Sequence, residues 1–191
     1  MLRSRPASVL KNRLVCDDRL VRVRDEIIRA NEEYARTFHL GHLQAPPSRR
    51  FAVVTCMDAR IDPLRLLGLE PGDAHVIRNA GGLVTDDALR SLVISHWELG
   101  TQEALVIGHT GCGMVNFTNE TLGRKLASSG VDASSMDFLA FRDLDESVRR
   151  SVKRIAESPL LPDPYRARGF VYDVVTGLLR EVALDHLHAA V

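Results

Sequence analysis

Two short segments carry most of the chemistry-bearing residues of this chain: Cys56-Met57-Asp58-Ala59-Arg60 and His109-Thr110-Gly111-Cys112-Gly113. Between them they hold two thiols, an imidazole, a carboxylate and a guanidinium. Thiolate and imidazole are the donors that zinc prefers, so Cys56, His109 and Cys112 form a candidate ligand set for Zn2+. His109 and Cys112 stand three residues apart across a glycine, a spacing that lets one turn present both to one ion. A helix start close behind Cys112 would favour its thiolate through the helix dipole. If the backbone around Cys56 is extended, then Cys56, Asp58 and Arg60, each two residues from the next, project to one side. Asp58 can then reach the metal or its water. Arg60 can hold Asp58 by a two-point ion pair that a lysine could not reproduce.

Duller readings compete. A closed structural zinc site usually draws on paired Cys-x2-Cys knuckles, which this chain lacks. For any one residue alone, a packing cysteine or a satisfied core histidine is the better reading. The combination of three donors at the ends of two strands, with an acid–base pair attached, favours the metal site. Three cysteines cannot form a disulfide framework, and Cys16 is read as a free thiol in an arm or a packing residue. His39, His42, His75, His96, His186 and His188 read as surface or packing groups, Asp86-Asp87 as a helix-start feature and Trp97 as a core anchor.

Each segment follows a run of strand-forming residues, Phe51-Ala52-Val53-Val54-Thr55 in one case and Ala104-Leu105-Val106-Ile107-Gly108 in the other. Each therefore reads as the turn leaving the carboxyl end of a buried strand, where ligands gather in open parallel sheets. Upstream, Leu20, Val23, Ile27, Ala30, Tyr34 and Phe38 recur at helical spacing and predict an amphipathic helix over 20–38, ended by Gly41 and Pro46-Pro47. Asp62-Pro63 to Gly68 predicts a short capped helix, and 74–78 a second strand. The backbone-rich loop Asn79-Ala80-Gly81-Gly82 can approach the site closely because its glycines carry no side chain. Thr85 starts a helix through Trp97, and another helix follows the 116–121 region. Leu144, Val148, Val152 and Ile155 make a further helical stripe closed by Pro159. Residues 170–175, a Thr176-Gly177 turn and residues 178–182 predict a hairpin. Strand and helix alternate, which implies an α/β domain with a mostly parallel sheet and one antiparallel edge.

Twenty-five basic and twenty-five acidic residues cancel, so no global field recruits nucleic acid or an anionic membrane. No apolar run approaches the roughly 20 residues that span a bilayer, and the expected location is the cytoplasm. The length fits one domain: a poorly ordered arm over 1–18, locally basic at Arg3, Arg5, Lys11 and Arg13, then a single zinc-binding α/β domain over 19–191 with an N-terminal helical arm.

At Val54-Thr55-Cys56-Met57-Asp58-Ala59-Arg60, Ile77-Arg78-Asn79-Ala80-Gly81-Gly82 and Gly108-His109-Thr110-Gly111-Cys112-Gly113 the chain resembles the β-class carbonic anhydrases. The likeness covers roughly residues 20–183, and the order and separation of the motifs agree with that family. The resemblance implies a four-stranded parallel core with an added antiparallel strand, flanking helices and a helical arm that packs on a neighbouring subunit. It also implies a homodimer or a dimer-based larger oligomer. It assigns Cys56, His109 and Cys112 as zinc ligands and Asp58 with Arg60 as the catalytic dyad. Asp58, two residues from Cys56, can either orient the metal's water or bond the metal as a fourth ligand in a closed state. Met57 and Ala59 stand where many members carry serine.

The implied activity is reversible hydration of carbon dioxide to bicarbonate by attack of zinc-bound hydroxide. Two thiolates cancel the formal charge of the ion, so its water is less acidic than in a three-histidine site, where the pKa is about 7, and the chemistry needs a base such as Asp58. Closely similar proteins hydrolyse carbonyl sulfide or carbon disulfide with the same ligand set. A reading from another class is a non-catalytic zinc- or bicarbonate-binding protein.

Overall fold

The computed structural model describes residues 18–184. Of the expected arm over 1–18, residues 1–17, Cys16 among them, lie outside the described residues, as do His186 and His188, while Asp18 already belongs to a helix. Those described fall into two compact units, one ending at Leu43 and one beginning at Gln44. The first holds α1 (Asp18–Thr37), the amphipathic helix expected from the apolar spacing. Its stripe residues Val23, Ile27 and Tyr34, and Phe38 just beyond it, are exposed, Ile27 to 63%. Among the described residues no helix is long and apolar enough to cross a membrane.

The second unit is built on a sheet of five strands: β1 (Phe51–Cys56), β2 (Ala74–Asn79), β3 (Glu103–His109), β4 (Arg166–Tyr172) and β5 (Leu179–Glu181). Their order across the sheet is β2-β1-β3-β4-β5, with the first four parallel and β5 antiparallel to β4. Ala52, Val53 and Val54 are fully buried, as expected where both faces of a parallel sheet are covered and the strand reads as one apolar run. The chain leaves β1 for β2 on one side and returns to β3 on the other. The carboxyl ends of β1 and β3 therefore flank the switch point of the sheet, the place where an α/β crevice opens.

The helices obey their local signals. In α2 (Pro63–Leu67), Asp62 accepts from the Arg65 amide, proline occupies the first turn, and Gly68 closes the end at φ 62°. In α3 (Asp86–Trp97), Thr85 accepts from the Ala88 amide, and Asp86 and Asp87 sit in the positive first turn. A reciprocal Thr118–Thr121 cap opens α4 (Asn119–Ser128), and Asp143 caps α5 (Leu144–Ala156). The α5 stripe Val148, Val152 and Ile155 is buried, and β3 and β4 carry glycine beneath it. A Cβ on Gly169 would stand 2.6 Å from a Val148 methyl, so α5 lies closer to the sheet than any side chain there would permit.

Two expectations need correction. The fourth strand starts at Arg166 and ends at Tyr172, earlier at both ends than the 170–175 read from the sequence. Arg166 and Arg168 interrupt the apolar run at its start. At the other end the Asp173 carboxylate accepts from the amides of Val175 and Thr176 and folds the chain into a turn. Trp97 is not a core anchor: it is 63% exposed, and its indole N–H donates to the Leu160 carbonyl at 2.8 Å. A polar handle satisfied by a surface loop holds the ring at the boundary.

Candidate metal centre

β1 delivers Cys56 and β3 delivers His109 to the switch point, side by side because Thr55 pairs with Ile107 across the two strands. The Thr55 hydroxyl also donates to the Ile107 carbonyl at 2.9 Å, pinning the pair just before both candidate positions. After His109 the chain holds its pairing for one more residue, with the Thr110 amide donating to Tyr172 O. Gly111, at φ 62°, then reverses it. That turn brings Cys112 back beside His109. The donor atoms of Cys56, His109 and Cys112 all lie within 4.8 Å of one another, and all three residues are buried.

The imidazole supplies the test of whether this trio fits a metal. His109 Nδ1 lies 3.0 Å from the Thr110 carbonyl, which can only accept, so Nδ1 carries the proton and Nε2 presents a lone pair. Nε2 is buried without a hydrogen-bond partner among the described residues. Leaving a buried acceptor unsatisfied costs on the order of 1–3 kcal/mol, which a metal bond would remove. The donor set and the orphaned atom both fit zinc.

The electrostatics of the three groups differ. Burial raises the Cys56 thiol, but the neighbouring His109 and the backbone amides of Asp58 and Gly81 outweigh it and bring it down to about 7. Burial pushes the Cys112 thiol up, and the adjacent Cys56 sulfur adds to this despite the Met114 amide. The helix start behind Cys112 is a single 3-10 turn, Gly113–Asn116, which Cys112 caps, and α4 begins only at Asn119. One such turn carries little dipole, and burial outweighs it at the Cys112 thiol. Burial lowers the His109 pKa, yet the Cys56 sulfur and the Thr110 carbonyl raise it above its ordinary value.

Asp58 and Arg60 form the two-point pair, but not by extension of the strand. β1 stops at Cys56, and the Asp58 carbonyl accepts from the Ile61 amide at 3.1 Å in a tight turn. Asp58 Oδ1 accepts from both the backbone amide and Nε of Arg60 at 2.9 Å, and Oδ2 accepts from Nη2 at 2.7 Å. A short acceptor side chain bonding two residues ahead folds the backbone locally and overrides the alternation of an extended strand. The Arg60 guanidinium beside Asp58 holds its carboxyl well below the usual carboxylate range, and Asp58 in turn raises Arg60.

The loop after β2 lies against the ligand strand. A Cβ on Gly82, at φ 64°, would meet the Cys56 nitrogen and the Thr55 carbonyl carbon at 2.9 Å, so only glycine permits the approach expected from the sequence. Arg78, whose role sequence reasoning missed, donates from Nε to the Cys56 carbonyl at 2.9 Å and from Nη2 to the Asp58 carbonyl at 2.7 Å. The available signal was positional: Arg78 precedes Asn79, the register partner of Cys56. Ile61, Met114 and Phe141 pack around the two thiols, with Leu66, Leu83, Phe117 and Tyr172 at the margin. Among the remaining histidines, His39 and His42 are exposed, while His75 and His96 bond to Ser95 and to the Thr101 carbonyl, away from this cluster.

Comparison with known proteins gives concordant matches. Residues 51–179 match the family model described as carbonic anhydrase. The chain is 44% identical over 160 residues to beta-carbonic anhydrase 1 of Mycobacterium tuberculosis, covering 84% of this chain and 98% of that protein. It is 36% identical over 181 residues to a carbon disulfide hydrolase of an Acidianus strain, covering 82% and 87%. Among solved structures, a carbonic anhydrase from Streptococcus mutans superposes with a TM-score of 0.80 at 48% identity, covering 83% of this chain and 96% of that one.

Proposed function

Because this chain belongs to the β-carbonic anhydrase family, we propose that it catalyses the reversible hydration of carbon dioxide to bicarbonate, with Cys56, His109 and Cys112 holding zinc and Asp58 with Arg60 as the catalytic dyad. The ligand assignment rests on the buried, unpartnered Nε2 of His109, which faces two thiols at bonding separation for a shared ion. When bound, zinc supplies Lewis acidity, making water more acidic and balancing charge that develops on oxygen.

The chain's own residues do the rest. Asp58 accepts a hydrogen bond from the reacting water and sets its orientation, and Arg60 keeps Asp58 ionised and aimed. Arg78 fixes the carbonyls on either side of Met57, so the ligand and the base move together. The apolar ring of Ile61, Met114 and Phe141 suits a small linear, apolar substrate. Hydration of carbon dioxide yields bicarbonate and one proton, and the proton must leave to solvent or buffer. Two free buried thiols suit a reducing compartment, which supports a cytoplasmic location. The exposed apolar stripe of the N-terminal helix supports a homodimer or dimer-based assembly.

A same-chemistry alternative, hydrolysis of carbon disulfide or carbonyl sulfide, is favoured by the relative named carbon disulfide hydrolase. Stopped-flow carbon dioxide hydration on zinc-assayed protein, run beside sulfide-release assays with both sulfur substrates, decides between them. Sulfide release without carbon dioxide hydration would select the alternative. Full metal content with no turnover of any substrate from about pH 6 to pH 9 would instead indicate a non-catalytic binding protein.

A further inference from the structure

Away from the metal centre, α5 presents a second stripe. Ser147, Arg150, Ser151 and Arg154 fall at positions i, i+3, i+4 and i+7, one polar face of the helix, and line a cavity of about 330 Å3. Thr85 and Asp137 contribute to its walls, and none of the three candidate metal ligands does. We propose that this cavity binds a tetrahedral oxyanion, as free phosphate or as the phosphoryl group of a small phosphomonoester.

Four observations carry this. Ser147 is only 3% exposed, yet its hydroxyl has no hydrogen-bond partner among the described residues, and it lines the cavity. Ser151, also buried, uses its oxygen to accept from the Val84 amide at 3.3 Å, which leaves its own O–H to donate. Thr85 is in the same position, accepting from the Ala88 amide with its proton unassigned. Arg150 has no ion-pair partner among the described residues, while Arg154 is paired with Asp86. The facing carboxylate of Asp137 stays ionised but is turned by two bonds to Oδ1, from Asn119 Nδ2 at 2.5 Å and the Leu139 amide at 2.8 Å, and Arg150 sets a positive charge against it on the same wall. Three hydroxyl donors and an uncompensated guanidinium on a concave wall match the acceptor oxygens of a phosphoryl group.

The test is calorimetric titration of the metal-loaded protein with inorganic phosphate and, separately, with glycerol phosphate. Ser147→Ala removes one hydroxyl at nearly constant volume, and Arg150→Gln removes an exposed charge. Neither touches the metal centre, so thermal stability and carbon dioxide hydration serve as controls for folding. Saturable binding in the millimolar range or tighter is expected, weakened about 10-fold or more by each substitution. The tighter of the two probes identifies free phosphate or a phosphomonoester as the source. No saturable binding of either probe up to about 20 mM, or equal affinity in wild type and both variants, would overturn the proposal.

Discussion

Asp58 Oδ2 lies 2.7 Å from Arg60 Nη2 and 3.8 Å from His109 Nε2, so a carboxylate locked by one guanidinium stands directly beside the unpartnered nitrogen proposed to hold the metal. The same Nη2 donates to the Gly111 carbonyl at 3.0 Å. Arg60 therefore joins the turn leaving β1 to the turn leaving β3, and the proposed base is positioned relative to the proposed ligands by a bond that crosses the sheet's switch point. A lysine has one point charge to offer and could not hold both carboxylate oxygens and a carbonyl in this plane.

Asp58→Asn tests the base apart from the metal. Asparagine keeps an Oδ1 that can accept from the Arg60 amide, so the turn survives while the charge is lost. Zinc content should stay near normal and turnover should fall by roughly 100-fold or more, the scale of a lost general base. Zinc stoichiometry and stopped-flow hydration on one preparation check this. Wild-type turnover would remove Asp58 from the mechanism, and loss of zinc would recast it as a ligand.

The buried elements were legible in the sequence because parallel strands covered on both faces read as unbroken apolar runs, as in β1, and because Thr85, Asp62-Pro63 and Gly68 are strong local signals. The donor trio was legible because its residue types are chemically specific. What escaped depends on neighbours. The first half of β4 carries arginines at its exposed positions and no apolar run. The turn at Asp58 arises from a side-chain bond to the Arg60 amide, which competes with extension of the strand. Arg78 acquires its role only once β2 lies beside β1. Trp97 looks like core until the Leu160 carbonyl that holds its N–H is in place.

Cys112→Ser should lower zinc occupancy well below about one per chain and lower the melting temperature with it, because binding energy at a site assembled by folding is folding energy. Chelation of the wild type should produce the same melting shift and leave the variant almost unmoved. Plasma emission spectroscopy with thermal melts reads both. Full zinc content in the variant would exclude Cys112 as a ligand.

Gly82→Ala and Gly68→Ala form a matched pair, since both positions have positive φ but only Gly82 is crowded. Gly68→Ala should cost about 1 kcal/mol from backbone strain alone. Gly82→Ala should cost about 2–4 kcal/mol and reduce zinc content, because the added methyl strikes the backbone of Thr55 and Cys56 rather than a flexible side chain. Urea unfolding of the two variants side by side would show equal losses if the close approach at Gly82 carried no weight.

The exposed apolar stripe on α1 predicts self-association. Ile27→Glu, at a residue 63% exposed in the single chain, should leave the monomer's secondary structure intact and weaken assembly at least about 10-fold in concentration. Light scattering across a dilution series measures it. An unchanged oligomer in this variant and after removal of residues 1–38 would exclude the helix from the interface.

A last prediction concerns acid stability away from the metal. Arg180 donates from Nη1 and Nη2 to the two carboxylate oxygens of Asp145 at 3.0 and 2.8 Å, tying β5 to the first turn of α5 and lowering the Asp145 pKa. A carboxyl with a depressed folded pKa stabilises fully above its unfolded pKa, about 3.9, and loses that contribution as pH falls through the folded value. The Asp145 side chain is 32% exposed and that of Arg180 58%, so solvent screening holds the pair to about 0.5–1 kcal/mol. Asp145→Asn should therefore be less stable than wild type by that amount between about pH 5 and 8, and the difference should close below about pH 4. Any acid release of metal affects both proteins alike and cancels in the comparison. Urea denaturation at a series of pH values measures the gap. A gap that persists unchanged well below the carboxylate range would mean that the substituted amide is penalised for its packing, and that the ion pair contributes nothing.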